Sequence, residues 1–232
     1  MRVAALYDVH GNLPALEAVL EDLDADGLDA ILVGGDVLWG PSQAECISLL
    51  RSAGASFVRG NCERAVLGSQ SASSAWCRER LSPEDRQLVS TWPETLEVPH
   101  DDLGRVLFCH ATPRSDEENL TSATSDEVVA AALAGVHVDI VVGGHTHLQL
   151  VRQVPDRPRL VNAGSVGLPC QGDAGAYWAV LGPDVDLRRT EYDLERAVAL
   201  AYGSGFPHAS DFEELVRGNV RADSATAYFE GS

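Results

Sequence analysis

The first third of the chain alternates short apolar segments with longer helical patterns. Segments 3–7, 30–33 and 57–58 are apolar, and helical patterns over 13–24 and 44–53 separate them. This β-α-β-α-β order predicts a largely parallel sheet with helices on its faces, because parallel neighbours need a long crossover connection. An α/β fold is therefore expected.

The chain then changes character twice. Residues 64–92 are polar and rich in Ser and Arg, and we interpret them as a helical cap insertion with a loop at 68–75. Apolar segments return after the cap, and Pro, Gly and Asp turns separate the late ones, which favours antiparallel pairing and a second sheet stacked on the first. These strands are predicted at 95–98, 105–109, 139–142, 148–154, 159–161, 176–181 and 185–192. A helix over 126–134, capped by Ser125, and a helical tail over 194–218 complete the prediction.

Composition and charge exclude several classes of protein. A chain of 232 residues with 45% hydrophobic and 22% charged content is long enough for one closed core, so a single domain over 1–232 is expected. All 17 basic residues are arginines, against 35 acidic residues, which gives a net charge of −18. The absence of lysine excludes a phosphate-binding P-loop and a Schiff-base mechanism. Because no dense arginine cluster is present, nucleic acid is not an expected partner.

The cysteines and the apolar segments indicate a location. The five cysteines are odd in number and form no Cys-x-x-Cys pair, which predicts neither a disulfide framework nor a cysteine zinc site and fits a reducing cytoplasm. The apolar start ends at Asp8, too early for a signal peptide. The most apolar region, 128–142, contains His137 and Asp139, so no membrane span is predicted.

Side chains with lone pairs follow five of the predicted strands. These are Asp8, His10, Asp36, Asn61, His110, His145 and His147. Ligands of open α/β sheets bind beyond the carboxyl ends of the strands, and carboxylate, amide and imidazole groups bind transition metals. Seven ligands are too many for one ion that also leaves room for substrate, whereas they suit two ions with a bridging carboxylate. Asp8 and His10 are two residues apart, so an extended backbone would direct both to one face.

Each of these residues alone has an ordinary structural explanation. A single Asp after a strand is more often a turn residue, and a single His beside an apolar strand is usually a core or surface residue. The ordered set of seven is not explained in this way. His100, His137 and His208 have no comparable neighbours, and we predict no role in the site for them.

The order of these residues and their neighbours resembles the calcineurin-like metallophosphoesterase superfamily, in its small prokaryotic phosphodiesterase branch. The motifs that carry the resemblance are Asp8-Val9-His10, Gly35-Asp36, Gly60-Asn61-Cys62-Glu63, His110 and Gly144-His145-Thr146-His147. The resemblance extends from Met1 to about Ala201. It implies a four-layer αββα sandwich of two mixed β-sheets flanked by helices, in agreement with the two sheets predicted above.

The resemblance also implies two metal ions with a shared ligand. The implied ligands are Asp8, His10 and His147 for the first ion, Asn61, His110 and His145 for the second, and Asp36 for both. Two such ions activate a water molecule for in-line attack on phosphorus, so no covalent phosphoenzyme is needed. Manganese is the expected metal, and iron, nickel and zinc are alternatives that this donor set also accepts.

Cys62 departs from the commonest family pattern, which has a histidine directly after the asparagine. A thiol donates a proton to an alkoxide less well than an imidazolium does, so the general acid is in question and good leaving groups such as phenols or nucleotides are expected. Asn12 and Arg114 are predicted to contact the phosphate, with a solvated loop residue as the alternative for Arg114. The predicted catalytic residues are Asp36, Asn61, Cys62 and His110.

The sequence thus predicts a hydrolase for small phosphodiesters or phosphomonoesters, with nucleotides among the candidate substrates. A catalytically silent metal-binding or protein-binding scaffold is the alternative from another class, since some relatives use this fold for protein assembly. A dinucleoside polyphosphate hydrolase and a protein phosphatase are further alternatives. Residues 163–167 taken alone resemble a nucleophile elbow with Ser165, but Leu168-Pro169 follows where an elbow leads into a helix. Oligomeric state is not predicted.

Overall fold

A computed structural model describes residues 1–231 of the chain. Its helices and strands follow one another in this order: β1 Val3–Leu6, α1 Leu13–Asp26, β2 Ala30–Val33, α2 Gln43–Ser52, β3 Ser56–Phe57, α3 Asn61–Gly68, α4 Ala72–Glu79, α5 Pro83–Ser90, β4 Thr95–His100, β5 Gly104–Cys109, α6 Asp126–Ala132, β6 Ile140–Gly143, β7 Leu150–Arg152, β8 Arg159–Asn162, β9 Ala176–Leu181, β10 Val185–Thr190, α7 Leu194–Gly203, α8 Ala209–Val216 and α9 Ala222–Glu230. None of the helices in this range has the length and apolar character that crossing a bilayer requires.

The first sheet has the strand order β10-β9-β1-β2-β3. β1 runs parallel to β2 with Val3 opposite Ala30, and β2 runs parallel to β3, as the alternating pattern predicts. β9 and β10 form the expected antiparallel pair, but the prediction that they belong to the second sheet is wrong. β9 pairs with the free edge of β1, Val3 opposite Leu181, and all six of its residues are buried.

The second sheet has the strand order β4-β5-β6-β8-β7. Its three central strands are parallel, and the edge strands β4 and β7 are antiparallel to their neighbours. Both sheets are therefore mixed, as expected. The carboxyl ends of β5 and β6 lie side by side, with Phe108 opposite Val142.

Three apolar clusters separate four layers. The inner cluster fills the space between the sheets with side chains from both, among them Ala5, Leu32, Phe108, Val142 and Leu181. A second cluster joins the outer face of the first sheet to α1, α2, α7 and α8, and a third joins the outer face of the second sheet to α6. The αββα sandwich is confirmed.

The cap and the tail differ from the prediction in detail. A loop was predicted at 68–75, but α3 extends to Gly68 and α4 begins at Ala72, where the Ser71 side chain accepts a hydrogen bond from the Ser74 amide. α3 also begins earlier than expected, at Asn61 rather than after Glu63. α9 was not predicted at all; the tail was expected to end near residue 218.

Candidate metal centre

The loops after β1, β2, β5 and β6 meet the start of α3 in one place, and Asp8 lies at its centre. Asp8 Oδ1 is 3.3 Å from His147 Nε2 and 3.8 Å from His10 Nε2. The same oxygen is 3.8 Å from His110 Nε2. His10 Nε2 and His147 Nε2 are themselves 3.2 Å apart. A carboxylate oxygen and three imidazole nitrogens thus point at one small volume.

Asp36 and Asn61 extend this cluster. Asp36 Oδ2 lies 3.4 Å from His110 Nε2 and 3.9 Å from His10 Nε2. Asn61 Oδ1 lies 2.9 Å from His110 Nε2 and 3.1 Å from His145 Nδ1. In the opposite orientation the NH₂ group of this amide would donate to the same two rings, to Asp36 Oδ2 and to the Asp116 carbonyl. An NH₂ group cannot bind a cation, so metal binding requires the orientation with the oxygen inward. The structure therefore brings together all seven predicted ligands.

The chemistry of the cluster fits divalent metal ions. Asp8 Oδ1 is buried and has no hydrogen-bond partner among the described residues. A buried carboxylate oxygen without a partner is costly, and a cation bound to it removes that cost. Asp8, His10 and His147 have ligand atoms within 4.8 Å of one another, and so do Asp8, Asp36 and His110.

The pKa values of two histidines reflect the charges around them. Burial, reinforced by His147, lowers the pKa of His10 to about 4, so this ring is neutral and its lone pair is free to bind a metal. Burial also lowers the pKa of His110, but the charge of Asp36 and its contact with the ring raise the pKa to about 10. The carboxylates thus favour a positive charge here, which a divalent cation also supplies when it displaces the proton.

The backbone of the site is left-handed at five of the seven predicted ligands, which corrects the extended conformation predicted for Asp8 and His10. The φ angles are 53° at Asp8, 45° at His10, 54° at Asp36, 69° at His145 and 57° at His147. This conformation costs about 1–2 kcal/mol per residue outside glycine. Hydrogen bonds between the loops maintain it, including those from the amides of Asp8 and His10 to the carbonyls of Gly35 and Asp36. Strained backbone of this kind is concentrated at functional sites.

Two glycines leave room for the carboxylates. A Cβ atom on Gly60 would lie 2.1 Å from Asp36 Oδ1, and one on Gly144 would lie 2.4 Å from Asp8 Oδ2. Both distances are far below van der Waals contact. The glycines that the sequence places directly before Asn61 and His145 are therefore required by close packing against Asp36 and Asp8.

Glu63 fixes the backbone around Asp36 through hydrogen bonds, a role that the sequence analysis did not predict. Its buried carboxylate accepts hydrogen bonds from the amides of Asp36 and Gly60, both at 2.8 Å, and from the amide of Leu38 at 3.0 Å. Burial and the charge of Asp36 raise the pKa of Glu63 to about 7. A Glu three residues after a helix cap was the available signal, since it is the capping-box pattern.

Two ligand rings are oriented by carbonyl groups on their other side. His110 Nδ1 is 2.9 Å from the Gly34 carbonyl oxygen, and His147 Nδ1 is 2.5 Å from that of Leu168. These contacts leave both Nε2 atoms directed at the carboxylates. Outer contacts of this type fix the tautomer and the ring position of metal-binding histidines.

Cys62 lies at the site but is a weak acid. Its amide donates to Asp36 Oδ1 at 2.8 Å, and its Sγ lies within 4.8 Å of ligand atoms of His10 and Asp36. Burial, and then the charge of Asp36, raise the pKa of the thiol well above its usual range. The group next to Asn61 is therefore a neutral thiol.

Asn12 and Ser165 have structural contacts. The Asn12 amide donates to the Gly167 carbonyl at 2.8 Å and to the Tyr192 hydroxyl at 3.1 Å, and its oxygen caps α1. The predicted contact of Asn12 with a phosphate would require breaking these bonds. The buried Ser165 hydroxyl donates to the main-chain oxygen of Asp8 at 2.8 Å, so it supports the site rather than acting as a nucleophile.

Arg114 lines a cleft of about 260 Å³ that His110 also lines. Its guanidinium pairs with Glu118 and donates to the Ala131 carbonyl at 3.0 Å; its contact with a phosphate stays a prediction. Arg64 lines the same cleft and was missed by the sequence analysis, although it lies only three residues after Asn61 on α3.

These features define a class of protein. Residues 1–182 match the family model of the calcineurin-like phosphoesterase superfamily domain. The chain belongs to this superfamily, as its sequence motifs indicated.

Known proteins from three organisms are similar to the chain. An uncharacterised protein from Methanocaldococcus jannaschii is 28% identical over 225 residues, which covers 84% of this chain and 89% of that protein. A metallophosphoesterase from Sphaerobacter thermophilus is 28% identical, with a TM-score of 0.77 over 94% of this chain and 99% of that one. A hypothetical protein from Pyrococcus horikoshii has a TM-score of 0.76 over 95% of this chain and 99% of that one, and at 17% identity it shows a shared fold alone.

Proposed function

We propose that the protein is a two-metal hydrolase for small phosphodiesters or phosphomonoesters. The observation that carries the proposal is the convergence in one place of seven side chains able to bind a metal, among them the buried carboxylates of Asp8 and Asp36. Nucleotides are among the proposed substrates. A basic surface for a nucleic acid is not expected, because the net charge is −18.

The proposed ligand sets follow the distances. His10 Nε2 and His147 Nε2, 3.2 Å apart beside Asp8, support one ion position. Asn61 Oδ1, within 3.1 Å of ring nitrogens of His110 and His145, supports the other. Asp36 Oδ2 is close to His10 and to His110, one ring from each set, which supports its bridging role.

Contacts within the chain hold the proposed metal ligands in position. Two bound ions supply an activated water and neutralise the charge of the phosphate. The Leu168 and Gly34 carbonyls hold the rings of His147 and His110, and Glu63 holds the loop of Asp36. Because Cys62 is a neutral, weakly acidic thiol, the leaving group departs with little help from a general acid, and esters of acidic alcohols such as phenols are the preferred substrates.

Manganese is the proposed metal, and the mixed donor set also accepts iron, nickel or zinc. The cytoplasm is the proposed location, supported by five free cysteines among the described residues. A catalytically silent scaffold does not account for this site as well. A protein-binding surface requires neither seven converging side chains nor strained backbone at five of them.

The test is turnover by protein that is stripped of metal and then reconstituted. We expect manganese-loaded protein to hydrolyse bis-p-nitrophenyl phosphate or p-nitrophenyl phosphate, and the stripped protein to be inactive. Iron, nickel and zinc are compared in the same assay. If the protein binds metal but hydrolyses neither ester with any of the four metals, the result would favour the scaffold.

A further inference from the structure

An apolar cleft of about 400 Å³ opens beside the metal centre, on the side of the C-terminal helix. We call it the α9 cleft. Its walls include His147, Cys170, Leu215, Val220, Tyr228 and Phe229. Its volume is in the range of small-molecule sites, and it has room for one aromatic ring with its substituents.

The α9 cleft adjoins the candidate metal centre. His147, one of the seven ligands, forms part of its wall and keeps 14% of its side chain exposed. The ring of Phe229 lies 6.2 Å from the ring of His145, another ligand. A phosphate held at the metal centre would therefore have its organic group within reach of this cleft.

α9 is fixed in place by polar contacts at its carboxyl end. Glu230 Oε1 accepts hydrogen bonds from the hydroxyls of Thr121 at 2.6 Å and Thr124 at 2.5 Å. The Asn119 amide donates to the Phe229 carbonyl at 3.2 Å. The main chain of Val220, just before the helix, accepts from the Gly172 amide at 3.0 Å. The wall is thus preformed, which lowers the entropic cost of binding a ligand there.

The lining decides which part of a phosphoester the α9 cleft accepts. No arginine, aspartate or glutamate of the described chain lines it, and its polar groups are limited to the His147 ring, the Cys170 thiol and the hydroxyls of Ser224 and Tyr228. Tyr228 and Phe229 form an edge-to-face pair with ring centroids 5.3 Å apart, and Tyr228 is 79% exposed. Aromatic walls of this kind favour flat, uncharged rings. The cleft lined by Arg64 and Arg114, by contrast, is charged.

We propose that the α9 cleft binds the organic group of the phosphoester and selects an uncharged aromatic one. This inference rests on the proposed function, because the phosphate must be held by the metal centre. The selecting residues Leu215, Val220, Tyr228 and Phe229 all lie beyond residue 182, where the match to the family model ends. The selectivity is therefore a property of this chain's C-terminal segment and not of the matched domain.

The test compares two stable phosphonates as ligands of the manganese-loaded protein by calorimetry. Phenylphosphonate is expected to bind at least about tenfold more tightly than methylphosphonate, since burying a phenyl group is worth about that factor or more. F229A and the exposed Y228S should each reduce this preference several-fold and leave the affinity for methylphosphonate unchanged. Y202A is the control, because Tyr202 is a half-exposed tyrosine on α7 that does not line the cleft.

The outcomes distinguish failure of this inference from failure of the proposed function. Equal affinity for the two phosphonates in a protein that hydrolyses esters overturns the α9 cleft as a selecting site and leaves the proposed function standing. Loss of affinity for both ligands in Y228S also overturns it. If Y228S changes the sedimentation of the protein but not its preference, the face is an interface between copies and the inference fails. No turnover with any ester would instead remove the proposed function.

Discussion

At the scale of single residues, the two buried carboxylates, Asp8 and Asp36, carry the negative charge on which the proposed metal binding depends. Asp36 contacts His110 and His10 through Oδ2 and accepts from the Cys62 amide through Oδ1. D36N keeps the shape of the side chain and removes its charge. We expect loss of one metal and a fall in turnover of more than about 100-fold, since even outer contacts of metal sites are worth about 10- to 100-fold.

Metal content by mass spectrometry and turnover of bis-p-nitrophenyl phosphate measure this effect of D36N. D101N is the matched control, because Asp101 is an exposed aspartate at the turn after β4, paired with the N-terminal amine. Circular dichroism should show that both variants fold. A D36N protein with two metals and normal turnover would rule out the bridging role.

Glu63 is a positioning residue whose replacement tests the hydrogen bonds behind the site. In E63Q the side-chain oxygen can keep the hydrogen bonds from the two amides that donate to Glu63 Oε2, but the new NH₂ group faces the Leu38 amide. Above pH 7, where Glu63 is ionised, one hydrogen bond to a charged group is therefore lost. We expect about 2 kcal/mol less free energy of unfolding by urea titration. Weaker metal binding in the folded E63Q protein should accompany it, and unchanged metal affinity would show that Glu63 serves stability alone.

Cys62 is the residue that separates this chain from the commonest family pattern. C62H introduces an imidazole, a better proton donor than a neutral thiol, next to Asn61. We expect altered hydrolysis of p-nitrophenyl phosphate with both metals retained, and a larger relative gain for esters of poorer leaving groups. Identical rates for every ester would show that position 62 is not near the leaving group.

At the scale of elements, the site depends on how closely the end of β6 packs against the end of β1. Gly144, directly after β6, has no space for a side chain, because a Cβ atom would lie 2.4 Å from Asp8 Oδ2. G144A should displace Asp8 and weaken metal binding by about tenfold or more. G203A at the end of α7 is the control, since a Cβ atom there has nothing within 4 Å and alanine favours a helix.

Metal titration of G144A and G203A by calorimetry gives the comparison. The control should bind metal as the natural protein does and be as stable or slightly more stable. Equal metal affinity in G144A would mean that Asp8 can move without loss, and the close packing of the two loops would then have no role in the centre.

At the scale of the whole molecule, the acidic surface opposes folding. With 35 acidic and 17 basic residues, the net charge is −18, and like charges repel more in the compact state than in the unfolded chain. Raising sodium chloride from about 10 to 200 mM screens this repulsion. We expect the free energy of unfolding to increase by about 1 kcal/mol, measured by urea titration in a chelating buffer so that metal binding does not contribute. A decrease would mean that the surface ion pairs outweigh the net repulsion.

The C-terminal tail and the first sheet share one apolar core. Phe212 of α8 and Ala201 of α7 belong to the same buried cluster as Leu6 of β1 and Leu16 of α1. α9 packs elsewhere, through Ala225 and Phe229 against Cys170 and Leu148. The C-terminal segment thus covers both the outer face of the first sheet and one side of the metal centre.

The sequence by itself determined the parallel part of the first sheet and the side chains of the candidate metal centre. Apolar periodicity and turn residues are local signals, so they located β1, β2 and the helices between them, and polar residues at strand ends pointed to all seven side chains that the structure brings together. Only the tertiary structure decided that β9 pairs with β1, since the choice of a partner across more than 170 residues depends on which edge is free to be buried. It also decided the left-handed backbone at Asp8 and His10, the place of Glu63 and the position of α9, because each depends on contacts between segments that no local pattern records.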